Sequence, residues 1–439
     1  MKRYLLSMAL GVFAVCSIGA YYASGTEGDA PRYKLTTLQG DAGEAAKMRL
    51  SGSYIGGVGS KALELTVDGT KYQLTQSFYE KYLKDNRYLT SRYEEMKALK
   101  REHRDFMRAR SNVDSFYKDS EWLIYADIFL YGPSGKYDWR TELKMDVLEE
   151  ATGRVNKIRI ALNVAKQVSW LRVGDVQRVG DEVHVLSQVR YRTGPTADGP
   201  SAVEFRDYIV DLHTGELLRE AVLVSEELAV SDSAGPGGAL AAQSVTSEIS
   251  LSAISSEVRS QPSEHVVLAT SKSEQFVNEA GKEEMKQTRH FAVFSYRTGK
   301  LTPLPEPSPG LSAYSNIQSE LSGELFTILY SDRGSLAIAR YNVATGAQEQ
   351  GELTLTAEQL GGQSIHSVSL AQNRVYVLLT TESSNKTRIS DGRQLVAVVL
   401  DAGSGELLYK GEAAYDGPAE KADEFRKNLW LTNVNADRL

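Results

Sequence analysis

The chain has 439 residues, 41% of them hydrophobic and 24% charged, and a formal net charge of −7. This is the composition of a globular protein with room for one large domain or several ordinary ones, and it excludes a disordered chain. Its acidic balance excludes bulk nucleic-acid binding, which needs a basic patch. Its single cysteine, Cys16, excludes a disulfide or a thiol nucleophile in the body of the chain.

Lys2 and Arg3 precede residues 4–23, which carry no charge. Twenty residues at about 1.5 Å each reach roughly 30 Å, one bilayer core. Residues 1–24 therefore read as a signal anchor, a transmembrane helix that leaves the C-terminal body outside the cytoplasm. A cleaved signal peptide and a lipoprotein lipidated at Cys16 are the alternatives. Ile18 and Tyr21 occupy positions where a cleavage site wants small residues. Tyr21-Tyr22 instead has the character of an interfacial aromatic belt.

Residues 25–75 read as N-terminal strands at 32–38, 48–54, 62–67 and 72–75. The glycine-rich run 55–61 lacks the Gly-Lys-Ser/Thr order of a phosphate loop and reads as a turn. Asp68-Gly69 signals a hairpin. The period then changes. Residues 76–111 form a helical insertion, with capping-box patterns at Ser77/Glu80 and Ser91/Glu94. Phe78, Tyr82 and Leu83 fit one short helix. Leu89, Tyr93, Met96, Leu99, His103 and Phe106 fit a second at three- and four-residue spacing. Residues 77–110 hold ten basic and six acidic side chains. Arg101, Arg104 and Arg108 are expected to share a face, either as a solvated helix surface or as a docking site for an acidic partner or anionic lipid head groups.

From 112 to 439 β signals dominate. Strands are expected at 122–130, 144–162 (a hairpin), 168–176, 182–191 and 205–224. Residues 227–263 are rich in Ser, Ala and Gly and read as a mobile loop, with a possible strand at 245–252. Further strands follow at 265–270, 290–296, 315–320, 324–330, 336–343, 364–370, 375–381, 395–400 and 407–411. A short helix at 419–427 and a terminal strand at 429–434 complete the chain.

One phrase recurs: a strand, a tight turn with Thr or Ser before Gly, and a second strand. Its markers are Thr152, Thr214, Thr298, Thr345 and Ser404, spaced by 62, 84, 47 and 59 residues. Propeller blades run roughly 40–50 residues, and the longest gap contains the Ser/Gly loop. Written out, the phrase is Val210-Asp211-Leu212-His213-Thr214-Gly215-Glu216-Leu217 and Leu400-Asp401-Ala402-Gly403-Ser404-Gly405-Glu406-Leu407. It resembles the outer hairpin of quinoprotein-type β-propeller blades. The resemblance covers residues 120–439 and implies a fold: mostly β, with about six blades. By analogy with such propellers, residues 429–434 are expected to pair with N-terminal strands. The tryptophan docking pattern of quinoprotein blades is missing, with only four Trp in the chain, so no cofactor is expected.

Chemistry-bearing motifs are absent from the sequence. The six histidines form neither a His-Glu-x-x-His nor a His-x-His pair, and each is expected to sit alone in a strand or turn. Gly132-Pro133-Ser134-Gly135 is not a hydrolase elbow. Adjacent acids such as Glu149-Glu150 point to opposite faces of a strand. The expectation is a membrane-anchored, extracytoplasmic interaction or sensing protein without catalytic or metal-binding residues, whose partner is another envelope or membrane protein. The alternative is a surface carbohydrate-binding protein or hydrolase using a propeller's central cavity.

Overall fold

The computed structural model describes residues 30–436 except 57–58, 73–93, 133–139, 164–166, 193–200, 229–246, 256–259, 278–282, 306–315, 350 and 382–393, together with residues 13, 16 and 17. The transmembrane reading of residues 1–24, both capping boxes, the first short helix and most of the Ser/Gly loop therefore lie largely outside the described residues. Among the described residues no helix is long and apolar enough to cross a membrane.

The chain is mostly β. It begins with β1 (Tyr33–Gly40), β2 (Met48–Gly56), β3 (Gly59–Thr66) and β4 (Gly69–Tyr72). Helix α1 (Glu94–Glu102) follows, then β5 (Phe116–Lys118), β6 (Trp122–Tyr131), β7 (Arg140–Glu149) and β8 (Val155–Leu162). Next come β9 (Gln167–Val179), β10 (Glu182–Arg192), β11 (Ser201–Asp211) and β12 (Leu217–Leu228). Four more are β13 (Ser247–Ile254), β14 (His265–Val277), β15 (Glu283–Ser295) and β16 (Lys300–Pro303). They lead to β17 (Asn316–Ser322), β18 (Leu325–Ser331), β19 (Ser335–Asn342) and β20 (Leu353–Thr356). The last group is β21 (Ser364–Ala371), β22 (Arg374–Thr380), β23 (Leu395–Asp401) and β24 (Leu407–Tyr415), then helix α2 (Ala422–Lys427) and β25 (Leu429–Ala436).

These strands build six antiparallel sheets. Four are simple meanders: β5–β8, β9–β12, β13–β16 and β17–β20. A fifth runs β25-β2-β3-β4, and a sixth runs β1-β24-β23-β22-β21. Repetition of a four-stranded meander is the construction of a β-propeller fold. The expected return of the C-terminus is present. β25 pairs with β2 from Met48↔Ala436 to Tyr54↔Leu429, and β1 pairs with β24 from Tyr33↔Tyr415. Gly52 permits the first pairing at its bulge, because a Cβ there would lie 1.9 Å from the Trp430 carbonyl oxygen.

The repeated phrase has a physical basis. In five sheets it is the connection from the third to the fourth strand. Asp211 Oδ1 accepts from the amides of His213 (3.0 Å) and Thr214 (2.7 Å), and Glu216 N donates to Thr214 Oγ1 at 3.3 Å. Asn342 and Asp401 do the same for their turns. The glycine takes the positive φ at which the turn reverses, +74° at Gly215 and +71° at Gly346 and Gly405. The short side chain thus supplies the backbone acceptor and the glycine the backbone freedom.

The chain divides into two compact units, residues 90–330 with 338–352, and residues 1–89, 331–337 and 353–438. In the first, sheets pack face to face. Ile124, Ala126, Leu143 and Met145 meet Val173, Val176, Val183 and Val185 in one core. Leu186, Val203 and Phe205 use the other face of β9–β12 against Leu251, Val266 and Leu268. In the second unit, Leu50, Leu63, Leu378, Ala397, Val399, Leu429 and Leu431 share one core. A strand covered on both faces reads as an unbroken apolar run, which is why every residue of Leu395–Leu400 is buried.

Candidate docking surface and a buried polar cluster

The predicted docking element is described from Glu94 onward. Its helix is shorter than the sequence period implies: α1 ends at Glu102, and the chain continues in turns through Ala109, which takes φ +61°. The reason is packing. Met96 and Leu99 on α1 and Phe106 and Met107 in the turns are all buried with Val113, Phe116, Leu123 and Leu148. A continued helix would carry Phe106 and Met107 onto different faces. The turns instead deliver both to the outer face of sheet β5–β8. Each such side chain contributes about 1.5–3 kcal/mol when buried.

Charged groups on the inner side of this segment are matched by the sheet. Lys118 Nζ donates to Glu102 Oε2 at 2.6 Å, which holds the Glu102 carboxyl below its ordinary range. His103 Nε2 lies 3.3 Å from Glu150 Oε1. The Arg110 guanidinium sits 4.3 Å from the Phe106 ring centroid and 5.3 Å from that of Tyr125, and pairs with Asp146. Asp146 also binds Arg159 at 3.1 Å. Glu95 Oε1 accepts from Ser260 N at 3.3 Å and ties α1 to the segment before β14.

Arg101, Arg104 and Arg108 are all exposed. Only Arg101 belongs to α1; Arg104 and Arg108 stand on the turns, so the three do not share one helix face. None of them forms a salt bridge among the described residues, and two exposed acids, Glu102 and Asp105, lie between them in the chain. Further along the same sheet face lies a pair that the sequence did not single out. The rings of Phe129 and Tyr131 are stacked at 6.2 Å and exposed, with Lys144 Nζ 4.4 Å and 4.9 Å from their centroids.

The other concentration of polar chemistry is buried between β9–β12 and β13–β16. Tyr296, just after β15, donates its hydroxyl to Asp175 Oδ2 at 2.6 Å. Gln177 Nε2 lies 3.3 Å and 3.4 Å from the two Asp175 oxygens, and Gln177 Oε1 accepts from Ser263 N at 2.8 Å. His184 Nδ1 is 2.8 Å from Asp207 Oδ2, and the His184 ring meets the Tyr296 ring edge-on at 5.4 Å. Burial pushes the Asp175 carboxyl up to about 7 against those donors, and holds the Tyr296 phenol well above its ordinary range.

The expectation of solitary histidines is therefore corrected: His184 bonds Asp207, His103 Nε2 lies 3.4 Å from Lys118 Nζ, and His213 Nε2 lies 3.3 Å from Asp181. Spacing in sequence is blind to these cross-strand and cross-segment pairs. The His184–Asp207 pair has the form of a base and its orienting carboxylate. His184 is only 1% exposed, however, and its Nε2 has no hydrogen-bond partner. No group of three or more metal-ligating side chains occurs among the described residues.

No family model matches the chain, and no curated protein matches it. Solved structures to which it is similar include the Dos1 propeller, at 11% identity over 65% of this chain and 57% of that one, with a TM-score of 0.22. The periplasmic gluconolactonase of Pseudomonas aeruginosa is similar at 14% identity, over 82% of this chain and 93% of that one, with a TM-score of 0.24. The Nup133 β-propeller domain of Vanderwaltozyma polyspora is similar at 8% identity over 68% and 72%, with a TM-score of 0.19. Scores this low carry no correspondence of residues. The β-propeller class of this chain rests on its own repeated sheets and shared turn.

Proposed function

We propose that this chain is a membrane-anchored, extracytoplasmic protein of the cell envelope that acts without catalysis, as an interaction or sensing platform for a second membrane or envelope protein. The observation that supports this most is the division of labour within residues 94–110. The apolar and ion-paired groups of that segment are spent on the sheet, while Arg101, Arg104 and Arg108 project outward without ion pairs among the described residues. Exposed pairs each contribute about 0.2–1 kcal/mol, so three arginines suit a salt-sensitive, steered contact with an acidic surface. The uncharged residues 4–23 after Lys2-Arg3 supply the tether in this reading.

The test is site-specific crosslinking in intact cells from position 105, which is exposed between Arg104 and Arg108. A membrane-protein adduct that disappears in the Arg101→Glu, Arg104→Glu, Arg108→Glu variant and at high salt supports the reading. An unchanged adduct in that variant removes the docking role, and full-length chain recovered in the cytosol removes the anchoring. The exposed Phe129–Tyr131 pair favours a second reading, a carbohydrate-binding surface, since stacked rings open to solvent suit sugar faces. Glycan binding lost in Phe129→Ala, Tyr131→Ala would select it.

A further inference from the structure

The seam between β9–β12 and β13–β16 is held by an uncommon contact. Asp175 is 1% exposed, and no basic side chain forms an ion pair with it among the described residues. Its neighbours come from every side. Gln177 and the Val176 amide belong to its own strand. His184 on β10 and Asp207 on β11 stand beyond Tyr296, and Glu182 Oε2 lies 3.9 Å from His184 Nε2. Asp114, in the short 3-10 turn Val113–Ser115, adds a like charge. Ser263 and the Gln261 carbonyl close the remaining side through Gln177. The cluster thus holds two fully buried carboxylates and one imidazole.

We propose that the Asp175–Tyr296 hydrogen bond is a proton-operated latch between these two sheets: closed while Asp175 carries a proton, and loosened to admit water once that proton leaves to solvent. The argument is one of charge. An ionised Asp175 is a charge buried without a cation, with Asp114 as a like charge, in a site whose imidazole is already bonded to Asp207. Leaving a carboxylate buried without a cation is strongly unfavourable, and hydrogen bonds from Tyr296, Gln177 and Val176 offset only part of it. Tyr296 remains a donor throughout because burial holds its phenol well above its ordinary range. The sign follows. The folded-state affinity of Asp175 for its proton is raised, so its stabilising effect is complete below about pH 4 and is lost as pH rises toward about 7. Within that window each pH unit favours opening by up to about tenfold, and above about pH 7 the dependence levels off.

Hydrogen exchange on the full chain, corrected for the intrinsic pH dependence of exchange, tests this. Peptides covering β9, β10 and residues 290–304 are expected to lose about tenfold in protection between about pH 5 and about pH 6, and to change little above about pH 8. The Asp175→Asn variant is expected to show no such change. Flat protection in the wild type overturns the proposal. So does a slope that persists in Asp175→Asn, or one that vanishes in His184→Gln while persisting in Asp175→Asn. Should Asp175→Asn fail to fold, infrared difference spectra of the wild type decide. A protonated-carboxyl band present near pH 6 and lost near pH 8 supports the latch, and its absence near pH 6 overturns it.

Discussion

The Tyr33 hydroxyl donates a 2.8 Å hydrogen bond to the carbonyl oxygen of Phe425, 392 residues further along the chain. Tyr33 is 1% exposed and opens β1, the strand that adds itself to β24. Phe425 belongs to α2, immediately before the strand that adds itself to β2. The two chain ends therefore exchange places: the first strand extends the last sheet, and the last strand completes the first.

This exchange predicts that truncation after Asn428 is severe. It removes Leu429, Leu431 and Val434, all buried, and leaves β2 as a bare edge prone to pairing with other chains. The loss expected is about 5 kcal/mol or more, visible as a large fall in the unfolding midpoint and as soluble aggregates. Tyr33→Phe, which deletes one hydrogen bond, is expected to cost only about 1 kcal/mol. A truncated chain that unfolds at the wild-type midpoint would show that the exchange contributes little.

The recurring turns make a graded prediction. Gly153 takes φ +69° with nothing within 4 Å of an added Cβ, so Gly153→Ala carries only the backbone strain, about 1–2 kcal/mol. Gly405 takes φ +71°, and its Cβ would lie 2.3 Å from Leu353 Cδ2. Gly405→Ala is expected to cost clearly more. Asp211→Ala leaves the His213 and Thr214 amides without their side-chain acceptor and is expected to lower the midpoint modestly. Denaturant midpoints for the three variants check the order.

These turns were legible in the sequence because their hydrogen bonds close within a few residues, so Asp211, Thr214 and Gly215 carry the whole signal locally. Continuous apolar runs such as Leu395–Leu400 were legible for a similar reason. The short outer and inner strands were harder. β5 is Phe116–Lys118 and β16 is Lys300–Pro303, too brief for alternation to show. The buried cluster was not legible at all. Asp175 and Tyr296 are 121 residues apart, and His184 and Asp207 meet only because β10 and β11 are neighbours. Sequence spacing predicts one helix face for Arg101, Arg104 and Arg108, whereas the turns after Glu102 place them otherwise.

Arg206 is expected to matter for the interior of β9–β12. Its Nε donates to Glu204 Oε2 at 2.8 Å, it also pairs with Glu220, and its guanidinium lies 5.5 Å from the Tyr191 ring centroid. Glu204 is 4% exposed. Arg206→Leu leaves that buried carboxylate without this cation, and the expected cost is about 3–5 kcal/mol. Restoring neutrality with Glu204→Gln in the same chain should recover a good part of it. A single variant as stable as the wild type would mean that Glu204 is already protonated or hydrated there.

The segment that presents the arginines can be separated from the arginines themselves. Phe106 is buried against the sheet beneath the turns and lies under the Arg110 guanidinium. Phe106→Ala removes that anchor and opens a cavity, at an expected cost of about 3–5 kcal/mol to this part of the structure. Hydrogen exchange across residues 94–110 should rise at once, while β21–β24 keep their protection. The Arg101→Glu, Arg104→Glu, Arg108→Glu variant alters only exposed side chains and should leave exchange and the unfolding midpoint within about 0.5 kcal/mol of the wild type. If the charge reversals loosen the segment as much as Phe106→Ala does, the arginines hold the element in place, and the outward surface is structural.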